Sequence, residues 1–191
     1  MANEFYALLG RMRYITRWGL MRNSFVENIQ EHSHQVAVLA HALALIRRDI
    51  LKLDGPDPDR CAVAALYHDA SETLTGDMPT PIKYYNPEIK KAYKQVEAVA
   101  SQRLLTMIPE ALRSSYEDYV LEKDEQVTAI VKAADRLSAH IKCLEEQKAG
   151  NKEFDTAAKQ TWDSMQELAM PELDWFLCNC LPAFSLNLDQ L

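Results

Sequence analysis

Apolar residues recur along this chain at intervals of three and four, the spacing that lines one face of a helix. Phe5, Leu8, Leu9 and Met12 predict a first amphipathic helix over about Asn3 to Tyr14. A second runs from about Asn28 to Arg48 on the stripe Val36, Leu39, Leu43 and Ile46. Gly55-Pro56-Asp57-Pro58 reads as a turn, with Asp57 as N-cap and proline at the first helical position, so a third helix spans about Asp59 to Thr73. The prolines of Gly76-Asp77-Met78-Pro79-Thr80-Pro81 forbid a continuous helix there. A fourth follows Pro87 on Ile89, Tyr93, Val96, Ala100 and Leu104, and Pro109 begins a shorter fifth to about Leu121. The sixth is long, about Asp124 to Ala149, with Val127, Ile130, Val131, Ala134, Leu137 and Ile141 inward and Gly150-Asn151 as its cap. A seventh carries Phe154, Ala158, Thr161, Met165 and Leu168, and Leu173 to Leu181 forms the last. No run alternates as a strand does. The expectation is an all-α, irregular multi-helix fold occupying 1–191 as one domain.

Composition narrows the partners more than the fold. With 191 residues, 48% hydrophobic and 26% charged, the chain is ordinary globular material. Its formal charge of -7 argues against coating a nucleic-acid polymer, which requires neutralising phosphates. It leaves room for a small anion held by a few local cations. No apolar stretch reaches the ~20 residues of a membrane span, and no secretory pattern opens the chain, so a cytoplasmic protein with reduced thiols is expected. Cys61, Cys143, Cys178 and Cys180 then read as ordinary thiols, the last two forming only a lone C-x-C.

Five histidines sort themselves by helix face. A helix advances ~100° per residue, so Val36, Leu39, Leu43 and Ile46 all fall within roughly 40° of His32, whereas His34 and His41 fall near the opposite face. His140 lies elsewhere on its own helix. One inward histidine can be no more than a core imidazole bonded to backbone. In the third helix, however, Ala62, Ala64 and Ala65 lead into His68-Asp69, with Glu72 four residues on. Turning such groups inward is costly unless they are paired or hold a cation. Asp135 sits on the shoulder of the sixth helix's stripe beside Val131 and Ser138; a buried salt bridge to Arg136 or another cation would explain it equally well when it is taken alone. His32, His68, Asp69 and Asp135 together offer nitrogen and oxygen donors that suit Mn²⁺, Co²⁺, Fe²⁺ or Zn²⁺.

The order His32, His68-Asp69, Asp135 resembles the H…HD…D pattern of the HD-domain metal-dependent phosphohydrolase superfamily. The flanking segments Arg17-Trp18, Glu27-Asn28-x-x-Glu31-His32-Ser33, Tyr67-His68-Asp69-Ala70-Ser71-Glu72 and Thr75-Gly76-Asp77-Met78-Pro79-Thr80-Pro81 are similar to its bacterial 5'-deoxynucleotidase branch over essentially the whole chain. The resemblance implies an all-helical fold binding one divalent metal through His32, His68, Asp69 and Asp135. It also implies hydrolysis of deoxyribonucleoside 5'-monophosphates to deoxynucleoside and phosphate, commonly by a homodimer. Departures such as Gly19 and His34 do not touch the metal set.

The residues then take roles. Glu72 relays a proton as general acid or base. Arg17 suits phosphate, its planar fork reading two oxygens, and Trp18 beside it packs on the sugar and disfavours a 2'-hydroxyl. The resemblance places both at the substrate, together with Asp69, Asp135 and the loop residues Asp77, Met78, Pro79 and Thr80. Arg22, Lys83 and Arg136 are further candidates for phosphate, although such residues are more often surface charges. Three rival readings stay open: an HD-type phosphodiesterase, a dNTP triphosphohydrolase, which would want more cations, and a non-catalytic module in which the metal is a structural clip.

Overall fold

The computed structural model describes residues 3–83 and 85–191. The helices that open at residues 29, 58, 87 and 125 start where short polar side chains satisfy the first free backbone N–H groups. α1 covers Phe5–Leu9 and is followed by a 3₁₀ turn at Met12–Tyr14, so the expected first helix is two pieces. α2, Ile29–Leu45, opens on a capping box: Glu31 N–H donates to Asn28 Oδ1, and Asn28 N–H to Glu31 Oε2. It runs on into a π-type turn at Ile46–Ile50. α3, Pro58–Tyr67, starts on Asp57 with Pro58 in its first turn, as expected. The long α8, Glu125–Lys148, is capped by Asp124, which accepts from Gln126 N–H and Val127 N–H. Gly150, at φ 83°, then takes the left-handed turn that closes it.

Two further expected helices are altered, each for a local reason. The third does not continue to Thr73. His68 Nδ1–H donates to Ala65 O at 2.7 Å, competing for a carbonyl the next turn would need, and the chain tightens into i→i+3 bonds from Tyr67 to Asp69. A one-turn α4, Glu72–Thr75, follows, then a second single turn, α5, Thr80–Lys83. In α6, Pro87–Thr106, capped by Asn86, Tyr93, Ala100 and Leu104 are buried. Val96, expected to join them, is 50% exposed and Val99 is 69% exposed, because α6 leans on its neighbours by only part of its surface.

α7 (Glu110–Val120), α9 (Asp155–Gln166) and α10 (Pro171–Asn179) complete the all-α molecule. Among the described residues the only extended pairing is a single antiparallel bridge, Thr16 to Asn28. The main core gathers α2, α3, α8, Met165 of α9 and the α10 residues Leu173, Phe176 and Leu177. Phe5, Ala70, Leu104, Leu105 and Ile108 form a second cluster, and Cys143, Phe154 and Ala158 a third against which Trp18 and Met21 pack. Burying each such aliphatic or aromatic side chain is worth ~1.5–3 kcal/mol, and the placement fixes α2, the end of α3 and α8 around one polar pocket. No described helix is long and apolar enough to cross a membrane.

Candidate metal and phosphate site

His32 is fully buried on the core face of α2, while His34 is exposed and His41 pairs with Asp59 at 3.3 Å at the surface. The face reading of these three histidines therefore agrees with the structure. His68 and Asp69 enter the same pocket from the tight turn after α3. In an uninterrupted helix two consecutive residues would diverge by ~100°; the break lets both face inward. Asp135 arrives from α8. Arg136 does not pair with it, because its guanidinium turns to the Ser164 carbonyl of α9.

Hydrogen bonding dictates which nitrogen of each imidazole is left to act. Ser138 Oγ–H donates to Gln35 Oε1 at 2.6 Å, so at 3.1 Å it must accept from His32 Nδ1–H. His68 Nδ1–H is likewise committed to Ala65 O. In the neutral rings both Nε2 atoms thus carry the lone pair; both are buried and make no hydrogen bond. They nevertheless lie close to carboxylates: His32 Nε2 is 3.1 Å from Asp135 Oδ1 and 3.6 Å from Asp69 Oδ2, and His68 Nε2 is 3.1 Å from Asp69 Oδ2. Donor atoms of His32, His68 and Asp135 all fall within 4.8 Å of one another. Two orphaned imidazole nitrogens converging beside two carboxylates is the geometry a divalent cation fits, with ligand bonds of ~2.0–2.2 Å. Second partners orient both rings, as metal-binding histidines require.

The electrostatics agree. Burial, then the Arg17 charge, lowers the His32 pKa and keeps that ring neutral. At His68 burial acts downward too, but Asp69 and Asp135 outweigh it and raise the group to about 9; the proton they favour sits where a cation would. Asp69 is pushed up by burial yet held well below the usual carboxylate range by His68, His32 and Arg17. Asp135 is lowered by His32 against the same burial. Glu72 goes the other way. It is 5% exposed, its Oε2 has no partner, and burial followed by the Asp69 and Asp77 charges lifts it to about 9.

Arg17 lines the pocket, with Nη1 3.6 Å from Asp69 Oδ2 and Nε donating to Glu27 Oε2 at 3.1 Å. Trp18 Nε1–H donates to the same Glu27 oxygen at 3.1 Å, and its ring meets Phe154 at 5.3 Å between centroids. Trp18 has φ 58°, a left-handed backbone that costs a non-glycine residue ~1–2 kcal/mol. Asp77, Met78 and Pro79 are half-buried and Thr80 is exposed at the start of α5. Asp77 belongs to the same charge cluster, its pKa raised by burial and restrained by Arg17. Three other candidate cations are engaged elsewhere: Arg22 with Glu153, Lys83 with Glu97 at 2.7 Å, and Arg136 as above.

Sequence reasoning missed Glu27, which stood inside a recognised motif with no role attached. It also missed the ion pair of Lys142 and Glu146, 1% and 0% exposed, on α8. A signal existed: relative to Val131, these positions fall at about 20° and 60° on the buried stripe.

Comparison with known proteins matches this architecture. The model of the YfbR-like 5'-deoxynucleotidase family covers residues 4–184. The chain is 49% identical to a 5'-deoxynucleotidase of Vibrio vulnificus and 47% identical to one of Vibrio atlanticus, covering 99% of this chain and 98% of each relative. Among solved structures, an HD-domain phosphohydrolase from Listeria innocua superposes with a TM-score of 0.81 at 21% identity, over 95% of this chain and 88% of that one. A cyanophage S-2L HD phosphohydrolase bound to dA and one catalytic Zn²⁺ gives 0.66 at 18% identity, over 92% and 95%. Fold, pocket and sequence converge: the chain belongs to the YfbR-like 5'-deoxynucleotidase family, phosphomonoester hydrolases on the HD-domain fold.

Proposed function

We propose that the protein hydrolyses deoxyribonucleoside 5'-monophosphates in the pocket of His32, His68, Asp69 and Asp135, with one divalent cation held by those four residues. The observation that carries this reading is the pair of buried His32 and His68 Nε2 atoms, which make no hydrogen bond and converge beside Asp69 and Asp135 while their Nδ1 atoms are held from behind. Those residues would hold a divalent ion, which when bound would supply Lewis acidity toward water and a phosphoryl oxygen near neutral pH. The side chains do the rest. Arg17, kept charged by Asp135, Glu27, Asp69 and Asp77 against its burial, binds phosphate oxygens through its Nη edge. Glu72, whose burial favours the protonated carboxyl, donates its proton to the departing 5'-oxygen. Trp18 packs on the sugar and penalises a 2'-hydroxyl, while Asp77, Met78, Pro79 and Thr80 rim the nucleoside end. The engagement of Arg22, Lys83 and Arg136 elsewhere favours a monophosphate over a triphosphate, which would need more cations.

The exposed Val96 and Val99 on α6 support a homodimer built on that helix, and four unpaired thiols suit the cytoplasm. Assay of phosphate release tests the main reading: 5'-dNMPs should be cleaved well, and 5'-NMPs and 3'-dNMPs poorly. Activity that survives chelator or Asp69→Asn would overturn it. With a dNTP as substrate, recovery of triphosphate or pyrophosphate would point instead to a triphosphohydrolase, and with a cyclic or dinucleotide substrate, release of nucleoside monophosphate to a phosphodiesterase.

A further inference from the structure

Trp18 and Arg17 are neighbours in sequence with different tasks, yet one oxygen atom holds both. Glu27 Oε2 accepts from Arg17 Nε–H and from Trp18 Nε1–H, each at 3.1 Å. The backbone repeats the connection. Arg17 N–H donates to Glu27 O at 2.9 Å, and Ile29 N–H to Ile15 O at 3.0 Å, so the stretch before Trp18 is zipped against the entry to α2. Glu27 is 8% exposed, an uncommon place for a carboxylate that touches no donor of the proposed metal set.

We infer that Glu27 is the positioning residue for substrate selection: it turns the Nη edge of Arg17 toward the pocket and locks the Trp18 indole against Phe154 in its left-handed backbone. This rests on the reading that Arg17 and Trp18 meet the nucleotide.

Arg17 has two edges that could face an anion. With Nε bound to Glu27, only the Nη1 and Nη2 edge faces Asp69 and the phosphate position. Trp18 is bounded on one face by Phe154 and by the hydrogen bonds that Met21 N–H and Asn23 Nδ2–H donate to its carbonyl. Those contacts hold the backbone and ring plane. The Nε1 bond is what stops the ring from swinging about its side-chain torsions. A ring free to swing gives way to a 2'-hydroxyl instead of opposing it, so loss of the anchor appears as lost discrimination, not simply as lost rate.

The test compares Glu27→Met, which fills the site without an acceptor, with Glu27→Gln, which keeps an acceptor oxygen. Helicity by circular dichroism and metal content accompany each variant. Glu27→Met should lower the deoxy-over-ribo ratio of kcat/KM about tenfold, raise KM for dNMP more than it lowers kcat, and add nothing to the ratio of Trp18→Ala when combined with it. Glu27→Gln should stay within about twofold of the parent. If folded Glu27→Met keeps its ratio while Trp18→Ala loses it, the inference is overturned. If Trp18→Ala itself leaves the ratio untouched, the substrate reading fails instead. Exchange of the Trp18 indole proton then judges the anchor alone: fast exchange in Glu27→Met upholds it, and unchanged exchange rejects it.

Discussion

α8 carries two buried polar clusters about two turns apart, and they differ in one respect. Around Lys142 and Glu146 every charge is answered. Lys142 Nζ donates to Glu146 Oε1 and, at 2.7 Å, to Phe25 O, and lies 3.3 Å from the centre of the Phe25 ring. Glu146 also accepts from Ser24 N–H at 2.8 Å and Asn151 Nδ2–H at 2.8 Å. Around Asp135, by contrast, His32 Nε2, His68 Nε2 and Glu72 Oε2 have no hydrogen-bond partner. Buried polar groups left open cost ~1–3 kcal/mol each. A satisfied cluster fastens the chain, here the segment after Trp18 to α8. An open one, on the function proposed above, is kept for a group from outside the chain to complete.

The largest effect that would break this contrast is at Glu72. Glu72→Gln keeps the volume and removes the proton, so kcat should fall ~10²–10⁴-fold while the fold survives; undiminished turnover would remove Glu72 from the chemistry. The stability side has a definite sign. Glu72 binds its proton more tightly folded than unfolded, so in metal-free protein stability should decline as pH rises from the ordinary carboxylate range toward about 9. Glu72→Gln should flatten that slope in urea melts.

Next comes the satisfied cluster. Lys142→Met strands Glu146 in the core and should cost ~3–5 kcal/mol, read as a lowered urea midpoint. Adding Glu146→Gln, which keeps an acceptor for Ser24 N–H, should recover part of the loss. A Lys142→Met protein as stable as the parent would mean that the pair fastens nothing. Acid probes the same pair more gently. Burial raises the Glu146 pKa, but Lys142, Asn151 and Ser24 prevail and hold it at about 2. Its contribution is therefore complete above the ordinary glutamate pKa and is lost as pH falls through about 2, amounting to ~3 kcal/mol. Glu146→Gln should lose that acid dependence.

Sequence periodicity revealed the two clusters unequally. The helices of the main core, and the inward turn of His32, follow from spacing alone, because burial of one stripe leaves little freedom. The break after Tyr67 does not, since it depends on a His68 side chain taking a backbone carbonyl, a choice that hydrophobic pattern cannot register. Val96 illustrates the opposite failure: the stripe of α6 was legible, but what would cover it was not. Lys142 and Glu146 went unread because charged residues on a buried stripe make sense only once Ser24, Phe25 and Asn151 arrive from elsewhere in the chain. The convergence of His32, His68, Asp69 and Asp135 was legible because the metal chemistry proposed for them, unlike a clamp, needs particular residue types.

The smallest effect is the sharpest test of why the open cluster stays open. Ser138 touches none of the proposed ligand atoms, and its hydroxyl is fully buried between Gln35 Oε1 and His32 Nδ1. Because Gln35 Oε1 can only accept, the hydroxyl proton points to it, and His32 must supply the other proton from Nδ1. That direction keeps the lone pair on Nε2. Ser138→Ala removes the relay, so the neutral ring can move its proton to Nε2, toward Asp135 Oδ1 at 3.1 Å. A cation must then displace that proton and reorient the ring, which should weaken metal binding ~10–100-fold with little change in helicity. Calorimetric titration with Zn²⁺ or Mn²⁺ reads this directly. Unchanged affinity would mean that burial alone orders His32, and the open Nε2 would then follow from packing and not from the hydrogen bond behind it.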